Sequence, residues 1–278
     1  MNASCLRWSR IVACSSMLSL AACDERAPGT AAAAPDAQLP IPTELALTFE
    51  AIDLGLENTT DFAFVPGASG ELFVTAHRGE LHRVRMAERS AQLLESVTIP
   101  KVFYDEGCGV LSMALDPAFA SNGFVYLGRC DDTRTTTLAR YHFDGSLAAL
   151  PQTEAVIMRI EAEDDPPEDW HRWGSLGFEE DGETMWALLG DLFERTTAQD
   201  VSTKSGSVLR FKPNRTSGGE GFEPALGNFS GDAGAADPAV YAYGLRSPFR
   251  GTRDAHGRFW IGDVGLQSLG RTAGLCDG

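Results

Sequence analysis

The sequence lacks the features of several common protein classes. After its first 22 residues it has no apolar run long enough to cross a membrane, which takes about 20 consecutive apolar residues. Basic residues are also few: 23 lysines and arginines stand against 39 aspartates and glutamates, for a formal net charge of −16 at pH 7. Because such an acidic surface repels phosphate backbones, we do not expect nucleic acid as a partner.

Helical periodicity is missing as well. No segment shows long helical heptads or a strong amphipathic pattern, and strands do not alternate with helices as they do in α/β proteins. The 29 glycines and 14 prolines instead favour a turn-rich β protein. With 43% hydrophobic and 22% charged residues, the composition is that of a globular protein of one or two domains.

Residues 1–22 have the pattern of an export signal. Arg7 and Arg10 form a positive segment, and the apolar stretch that follows is too short to span a bilayer. The segment ends in Leu-Ala-Ala-Cys23, which resembles the lipobox of bacterial lipoproteins, where the cysteine is lipidated after cleavage; a plain secretory signal is the alternative. We expect an exported protein, periplasmic or at the cell surface, attached to a bacterial membrane only by a lipid at Cys23. The Ala- and Pro-rich residues 23–43 predict a flexible tether.

Three cysteines lie beyond this region. Cys108 precedes the predicted strand 110–115, and Cys130 ends the next predicted strand. If the two strands form a hairpin about residues 116–123, residues whose numbers add to about 238 face each other. A Cys108–Cys130 disulfide is then geometrically natural and suits an oxidising compartment, and two buried free thiols are the alternative. Cys276 is the odd cysteine.

One pattern occurs four times: a short alternating strand, a turn containing glycine, and a second apolar strand. The turn glycines are 53, 59 and 75 residues apart, namely Gly70, Gly123, Gly182 and Gly257. Further predicted strands follow the first three hairpins at 81–86, 137–143 and 207–211. Repeats of about 50–75 residues with four short strands are typical of β-propeller blades, whereas a β-sandwich would not explain the recurring turn. We predict an all-β propeller over residues 44–265 with about four blades.

The third repeat has a titratable side chain at each end. His171 stands where an alternating strand containing Leu176 and Phe178 begins, and Asp191 stands where the second strand of the hairpin ends. Histidine is the side chain whose ordinary pKa, about 6.5, suits proton transfer near neutral pH. The alternative is a surface histidine beside a tight turn.

Five motifs, in order across residues 60–265, resemble the soluble sugar dehydrogenases that depend on pyrroloquinoline quinone (PQQ), the glucose/sorbosone dehydrogenase family. They are Gly109-Val-Leu-Ser-Met-Ala-Leu-Asp-Pro, His171-Arg-Trp-Gly-Ser-Leu-Gly-Phe178, Gly190-Asp191 followed by Ala198-Gln-Asp200 and Gly206-Ser-Val-Leu-Arg, Tyr243-Gly-Leu-Arg246-Ser-Pro248, and Trp260-Ile-Gly-Asp-Val-Gly265. The resemblance implies a propeller of six blades, of which about four are present in this sequence.

The resemblance also implies an activity: oxidation of the anomeric hydroxyl of an aldose sugar, with hydride transfer to PQQ. His171 would be the general base, Asp191 would orient it or line the sugar pocket, and Arg246 would bind the quinone and stabilise negative charge on its oxygens. Gly265 would contact the cofactor, and the backbone carbonyls of Gly265 and Leu266 would hold a Ca²⁺ ion that polarises it. The residues alone leave an alternative role open for two of these side chains: Arg246 could form a structural salt bridge, and Asp191 could cap the end of a strand.

Three departures from the family pattern stand out. Trp173 replaces the first glycine of His-x-Gly-Gly-x-Leu-x-Phe, and we expect it to crowd the pocket. Trp170 precedes the base where some members carry an acid. Residues 266–278 match neither the family nor a strand, so we expect a truncated or frame-shifted end, loss of the later blades that contact the quinone, and possible inactivity.

Two other functions fit the same sequence. One is a non-catalytic exported propeller that binds a carbohydrate or a protein partner. The other is a calcium-dependent lactonase-type propeller, which would need a cage of carboxylates around the metal that the sequence does not supply.

Overall fold

A computed structural model of the chain describes residues 51–88, 90–160, 170–194, 196–229 and 236–265, together with strand β1 (Ile11–Val12). Apart from β1, the predicted export signal and tether, with Cys23, lie outside the described residues. So does the tail 266–278, which contains Leu266 and Cys276. In the described part, no helix combines the length and the apolar character that a membrane crossing requires.

Four antiparallel sheets make up nearly all of the described structure. The first contains β2 (Thr59–Phe64), β3 (Glu71–Ala76), β4 (Glu80–Met86) and β5 (Ala91–Thr98). The second contains β6 (Val110–Leu115), β7 (Phe124–Cys130), β8 (Thr136–His142) and β9 (Ala155–Ile160). The third contains β10 (Trp173–Phe178), β11 (Met185–Leu189), β12 (Ser207–Pro213), β13 (Phe222–Pro224) and β14 (Val240–Tyr243). The fourth contains β15 (Pro248–Arg253) and β16 (Phe259–Asp263), beside which β1 lies parallel.

Within the described residues, helical structure is limited to three short pieces. Helix α1 (Phe119–Asn122) lies in the turn between β6 and β7, and single 3₁₀ turns cover Leu150–Thr153 and Thr197–Gln199. In the first two sheets the strands follow one another in chain order from the first strand outward, as β10 to β13 do in the third. In the third, β13 pairs with one half of β12 and β14 with the other.

The first hairpin of every sheet turns at one of the four repeated glycines. Their φ angles lie between +61° and +76°, in the left-handed region that favours glycine: Gly70, Gly123, Gly182 and Gly257. The pattern therefore marks the same structural position four times, and the predicted repeat is confirmed.

The four sheets pack face to face as successive propeller blades. Their first strands, β2, β6, β10 and β15, lie side by side, and an apolar cluster fills each space between neighbouring sheets. Because the second strand of each of the first three blades is covered on both faces, β3, β7 and β11 are buried almost throughout. The predicted all-β propeller fold is confirmed.

A disulfide joins Cys108 and Cys130, with their Cα atoms 5.5 Å apart. The hairpin register nevertheless differs from the predicted one, because Met113 faces Leu127 and the facing numbers there add to 240. A bulge at Leu111 shifts the ladder before it reaches the cysteines. Closing a loop with a sequence separation of 22 residues stabilises a fold by about 3 kcal/mol in the chain-entropy account.

Candidate active site

The predicted site residues lie at one end of the blades, opposite the glycine turns. His171 precedes β10, Asp191 follows β11, Arg246 lies between β14 and β15, and Gly265 follows β16. Because consecutive strands of a blade run antiparallel, the start of one strand and the end of the next meet at the same edge. The fold thus brings four predicted positions to one rim, while Leu266 lies outside the described residues.

His171 and Asp191 form a buried dyad. Nδ1 of His171 lies 2.5 Å from Oδ1 of Asp191, and the side chains are 8% and 7% exposed. His171 is therefore not the surface histidine of the alternative interpretation. Since the carboxylate accepts a hydrogen bond from Nδ1–H, the lone pair of the neutral ring is on Nε2. Among the described residues none bonds to Nε2, so this nitrogen is available as a base.

Asp191 also has the capping role that the residues alone left open. Its Oδ1 accepts a hydrogen bond from the backbone N–H of Phe193 at 2.9 Å, which shapes the turn after β11. The Phe193 ring lies against the imidazole of His171, with the ring centroids 5.0 Å apart. One carboxylate therefore fixes both the base and the loop beside it.

The backbone at the site is unusual. His171, Leu192 and Phe193 all have positive φ angles, of 58°, 55° and 66°. This left-handed conformation costs a non-glycine residue about 1–2 kcal/mol, although histidine tolerates it better than most. A Cβ atom at position 190 would overlap the His171 carbonyl oxygen, which explains the glycine of the Gly190-Asp191 pair.

Arg246 joins the dyad through its backbone. Its carbonyl accepts a hydrogen bond from Asp191 N–H at 2.8 Å, and its Nη1 donates to the Val264 carbonyl at 2.8 Å. This carbonyl is next to Gly265, so the predicted quinone and metal positions are neighbours. The side-chain partner of Arg246 within the described residues is thus a carbonyl oxygen, not the carboxylate of a salt bridge.

Asp263, which is not among the predicted site residues, also lies at this rim. Its carboxylate accepts the backbone N–H groups of Arg246 at 3.1 Å and Ser247 at 2.7 Å, and so holds the turn that carries the arginine. A signal was present, because Gly262-Asp263 ends a strand just as Gly190-Asp191 does. A repeated Gly-Asp at strand ends marks the carboxylates of this rim.

The expectation that Trp173 crowds the pocket is wrong. Its side chain is 1% exposed and packs between the second and third blades, where Nε1 donates to the Thr137 carbonyl at 3.0 Å. Gly128 on β7 makes the space, because a Cβ there would lie 2.9 Å from Cγ of Trp173. Trp170, by contrast, is 40% exposed next to the base.

Metal ligands are sparse. Within the described part of the chain, no group of three His, Cys, Asp or Glu side chains is placed to hold a metal ion. Of the two predicted carbonyl ligands for Ca²⁺, Gly265 is described and Leu266 is not. The carboxylate cage of a lactonase-type propeller therefore has no counterpart among the described residues.

Comparison with known proteins supports the predicted resemblance. The family model "Glucose / Sorbosone dehydrogenase" matches residues 56–269. An uncharacterized protein of Synechocystis sp. is 28% identical over 212 residues, which are 69% of this chain and 48% of that protein.

Two solved structures share the fold. The PQQ-bound aldose sugar dehydrogenase of Streptomyces coelicolor is 22% identical with a TM-score of 0.61, over 76% of this chain and 58% of that one. The soluble aldose sugar dehydrogenase of Escherichia coli, in its apo form, is 21% identical with a TM-score of 0.60, over 75% and 57%. The chain thus spans about half of the length of the curated relative and under two thirds of each solved structure.

Proposed function

The chain belongs to the glucose/sorbosone dehydrogenase family, and on that premise we propose that it is an oxidoreductase acting on the anomeric hydroxyl of aldose sugars. The observation that carries the proposal is the buried His171–Asp191 dyad at the rim of the blades, with Nε2 free of partners among the described residues. Oxidation of an alcohol carbon releases a hydride from carbon and a proton from oxygen, so the chain must supply a base for the proton.

His171 serves as that base. Nε2 takes the proton of the sugar hydroxyl, and the Asp191 carboxylate keeps the ring oriented and stabilises the imidazolium that forms. Burial of both side chains strengthens this interaction because water does not screen it. When bound, PQQ supplies the two-electron acceptor for the hydride.

Arg246 fits a role beside an electron-rich cofactor. A guanidinium has five N–H donors, and Arg246 gives Nη1 to Val264, so further donors can face the oxygens of a quinone. A Ca²⁺ ion would take the Gly265 carbonyl as one of its oxygen ligands and would polarise the quinone.

We also propose that the protein works outside the cytosol, attached by a lipid at Cys23. The Cys108–Cys130 disulfide supports an oxidising compartment, since such bonds are rare where thiols are kept reduced. Metabolic labelling with a radioactive fatty acid tests the anchor. We expect the wild-type protein to be labelled and Cys23→Ser to be unlabelled. A wild-type protein that takes up no label would reject the lipid anchor.

The activity is tested with a purified version in which the later blades of the family are restored, supplied with PQQ, Ca²⁺, an aldose and a reducible dye. Sugar-dependent reduction is expected, with loss of about 10²-fold or more in His171→Asn, because general bases contribute this much. Asparagine is the substitution of choice since it tolerates positive φ. The matched control is His256→Asn, an exposed histidine in the glycine turn of the fourth blade, which should keep full activity.

The rival function is a non-catalytic propeller that binds a carbohydrate or protein. Titration with PQQ separates the two, since a dehydrogenase changes the quinone absorbance on binding and a binding module does not. An unchanged spectrum together with no turnover would reject the dehydrogenase proposal.

A further inference from the structure

The two residues after the candidate base both reach across to the neighbouring blade. Arg172 is 4% exposed, and its Nη1 donates to Oγ1 of Thr136 at 2.9 Å. Trp173 donates from Nε1 to the carbonyl of Thr137, as described above. Thr136 and Thr137 begin β8 of the second blade and are completely buried. The polypeptide that carries His171 is therefore anchored to a second sheet immediately after the base.

The third blade holds the same segment from the other side. Gly190 N–H donates to the Arg172 carbonyl at 3.1 Å, and Leu192 N–H donates to the His171 carbonyl at 3.3 Å. The left-handed backbone of His171 is unfavourable by itself, so surrounding contacts have to maintain it. Hydrogen bonds from the second and third blades maintain this conformation.

Strand β8, to which Arg172 and Trp173 are hydrogen-bonded, is itself linked to the rest of its blade. Thr136 pairs with Cys130 across the β7–β8 ladder, and Cys130 is bonded to Cys108, which precedes β6, the first strand of the blade. A glycine at position 173 would have no side chain with which to reach the second blade.

We propose that Arg172 and Trp173 are positioning residues that hold His171 in the orientation in which Nδ1 meets Asp191. Their contribution to turnover rests on the proposed dehydrogenase function, whereas their effect on the histidine ring does not. The second blade therefore takes part in placing the base, although no described residue of that blade hydrogen-bonds to the His171 ring.

A pair of matched variants tests the Arg172 contact. Thr136→Val and Thr137→Val make the same change at adjacent buried positions, but only the Thr136 hydroxyl accepts from Arg172; the Thr137 hydroxyl donates to Asp131 at 3.3 Å. The readout is the Nδ1–H resonance of His171 in ¹⁵N-histidine-labelled protein, identified by its loss in His171→Asn. We expect this resonance to persist in Thr137→Val and to broaden or disappear in Thr136→Val.

Trp173→Phe tests the second contact, because phenylalanine retains an aromatic ring but lacks the Nε1–H donor. We expect it to behave like Thr136→Val. A wild-type resonance in Thr136→Val overturns the role of Arg172, and one in Trp173→Phe overturns the role of Trp173. If the resonance is lost to the same extent in Thr137→Val, the roles of both Arg172 and Trp173 are overturned, because a general loosening of the second blade would then explain the effect.

Turnover gives a second readout. We expect kcat to fall about 10-fold in Thr136→Val and Trp173→Phe because a misplaced base reacts slowly, while KM changes less than about two-fold. If the unsubstituted protein with the later blades restored has no sugar turnover, the dehydrogenase proposal fails while the ring resonance still decides the positioning proposal.

Discussion

At the scale of single residues, Glu71 shows how this acidic chain uses its few cations. The carboxylate is 7% exposed on β3, with Arg85 at 2.6 Å on one oxygen and Arg83 at 2.7 Å on the other. The hydrogen bond from Arg85, followed by that from Arg83, lowers the pKa of Glu71 below its ordinary value. A carboxylate with a lowered native pKa stabilises the fold above its unfolded pKa, and this stability is lost as the pH falls through the native value.

Glu71→Gln should therefore be less stable than wild type near neutral pH. The difference should shrink as the pH falls below the ordinary glutamate pKa of about 4.3. Urea unfolding midpoints at several pH values measure this. The exposed Glu57→Gln is the matched control and should show little difference at any pH. A Glu71→Gln deficit that does not change with pH would contradict the ion-pair account.

Single residues also show where sequence reasoning succeeds and where it ends. The nearness of His171 and Asp191 is predictable, because they flank the two strands of one hairpin. The burial of Trp173 is not, since it depends on Gly128, which lies 45 positions earlier on another blade. Local patterns do not encode which residues of two packed sheets face each other.

At the scale of elements, the approach of β10 to β15 depends on Gly174. A Cβ at this position would overlap the Pro248 carbonyl oxygen and lie 2.9 Å from that of Phe249. These contacts are backbone atoms of the neighbouring blade and cannot rotate away. The second glycine of the family motif is therefore needed where the third and fourth blades meet.

Gly174→Ala should lower the free energy of unfolding by about 1–3 kcal/mol through overpacking. Gly262→Ala, the same change on β16, should have an effect within about 0.5 kcal/mol, because the nearest atom to its added Cβ would be 3.6 Å away. Chemical denaturation of both variants gives the comparison. Equal losses would show that strand flexibility, not blade contact, sets the requirement at position 174.

Among the elements, the longer strands are predictable from the sequence, whereas two short strands that pair with different halves of one longer strand are not. The predicted strand 110–115 has the same bounds as β6, and the strand predicted at 207–211 extends to Pro213 as β12. The sharing of the outer edge of the third blade by β13 and β14 is not predictable from the sequence pattern. With three and four residues, these strands are too short to show a clear alternating period.

At the scale of the whole molecule, Arg250 links the fourth blade to the first. Its Nη2 lies 2.5 Å from the carbonyl oxygen of Thr60, which is 190 positions away in the sequence. The neighbouring Asp61 has a raised pKa because of burial, which the N–H of Met113 and the charge of Arg250 partly offset. A raised carboxyl pKa means that this group favours the fold most when protonated and that the benefit is lost as the pH rises through the native pKa.

Arg250→Met should lower the free energy of unfolding by about 1.5–3 kcal/mol near neutral pH, because the Thr60 carbonyl loses a charged donor and the buried Asp61 loses the nearby positive charge. The loss should be smaller in acid, where Asp61 is protonated and no longer needs the cation. Arg258→Met removes an i,i+4 ion pair with Asp254 in which the arginine side chain is 40% exposed, and it should cost no more than about 1 kcal/mol. A larger loss in acid than at neutral pH would contradict the coupling between Arg250 and Asp61.

The consecutive order of strands within each of the first two blades also sets the order in which the chain can fold. Each of these sheets pairs only neighbouring strands, so a blade has all of its ladder partners once its own segment has been synthesised. Short loops close quickly and with little entropic cost, whereas the Thr60–Arg250 contact must wait until the fourth blade has been synthesised. We therefore expect folding intermediates in which the amino-terminal blade is protected from hydrogen exchange before the link to the fourth blade forms.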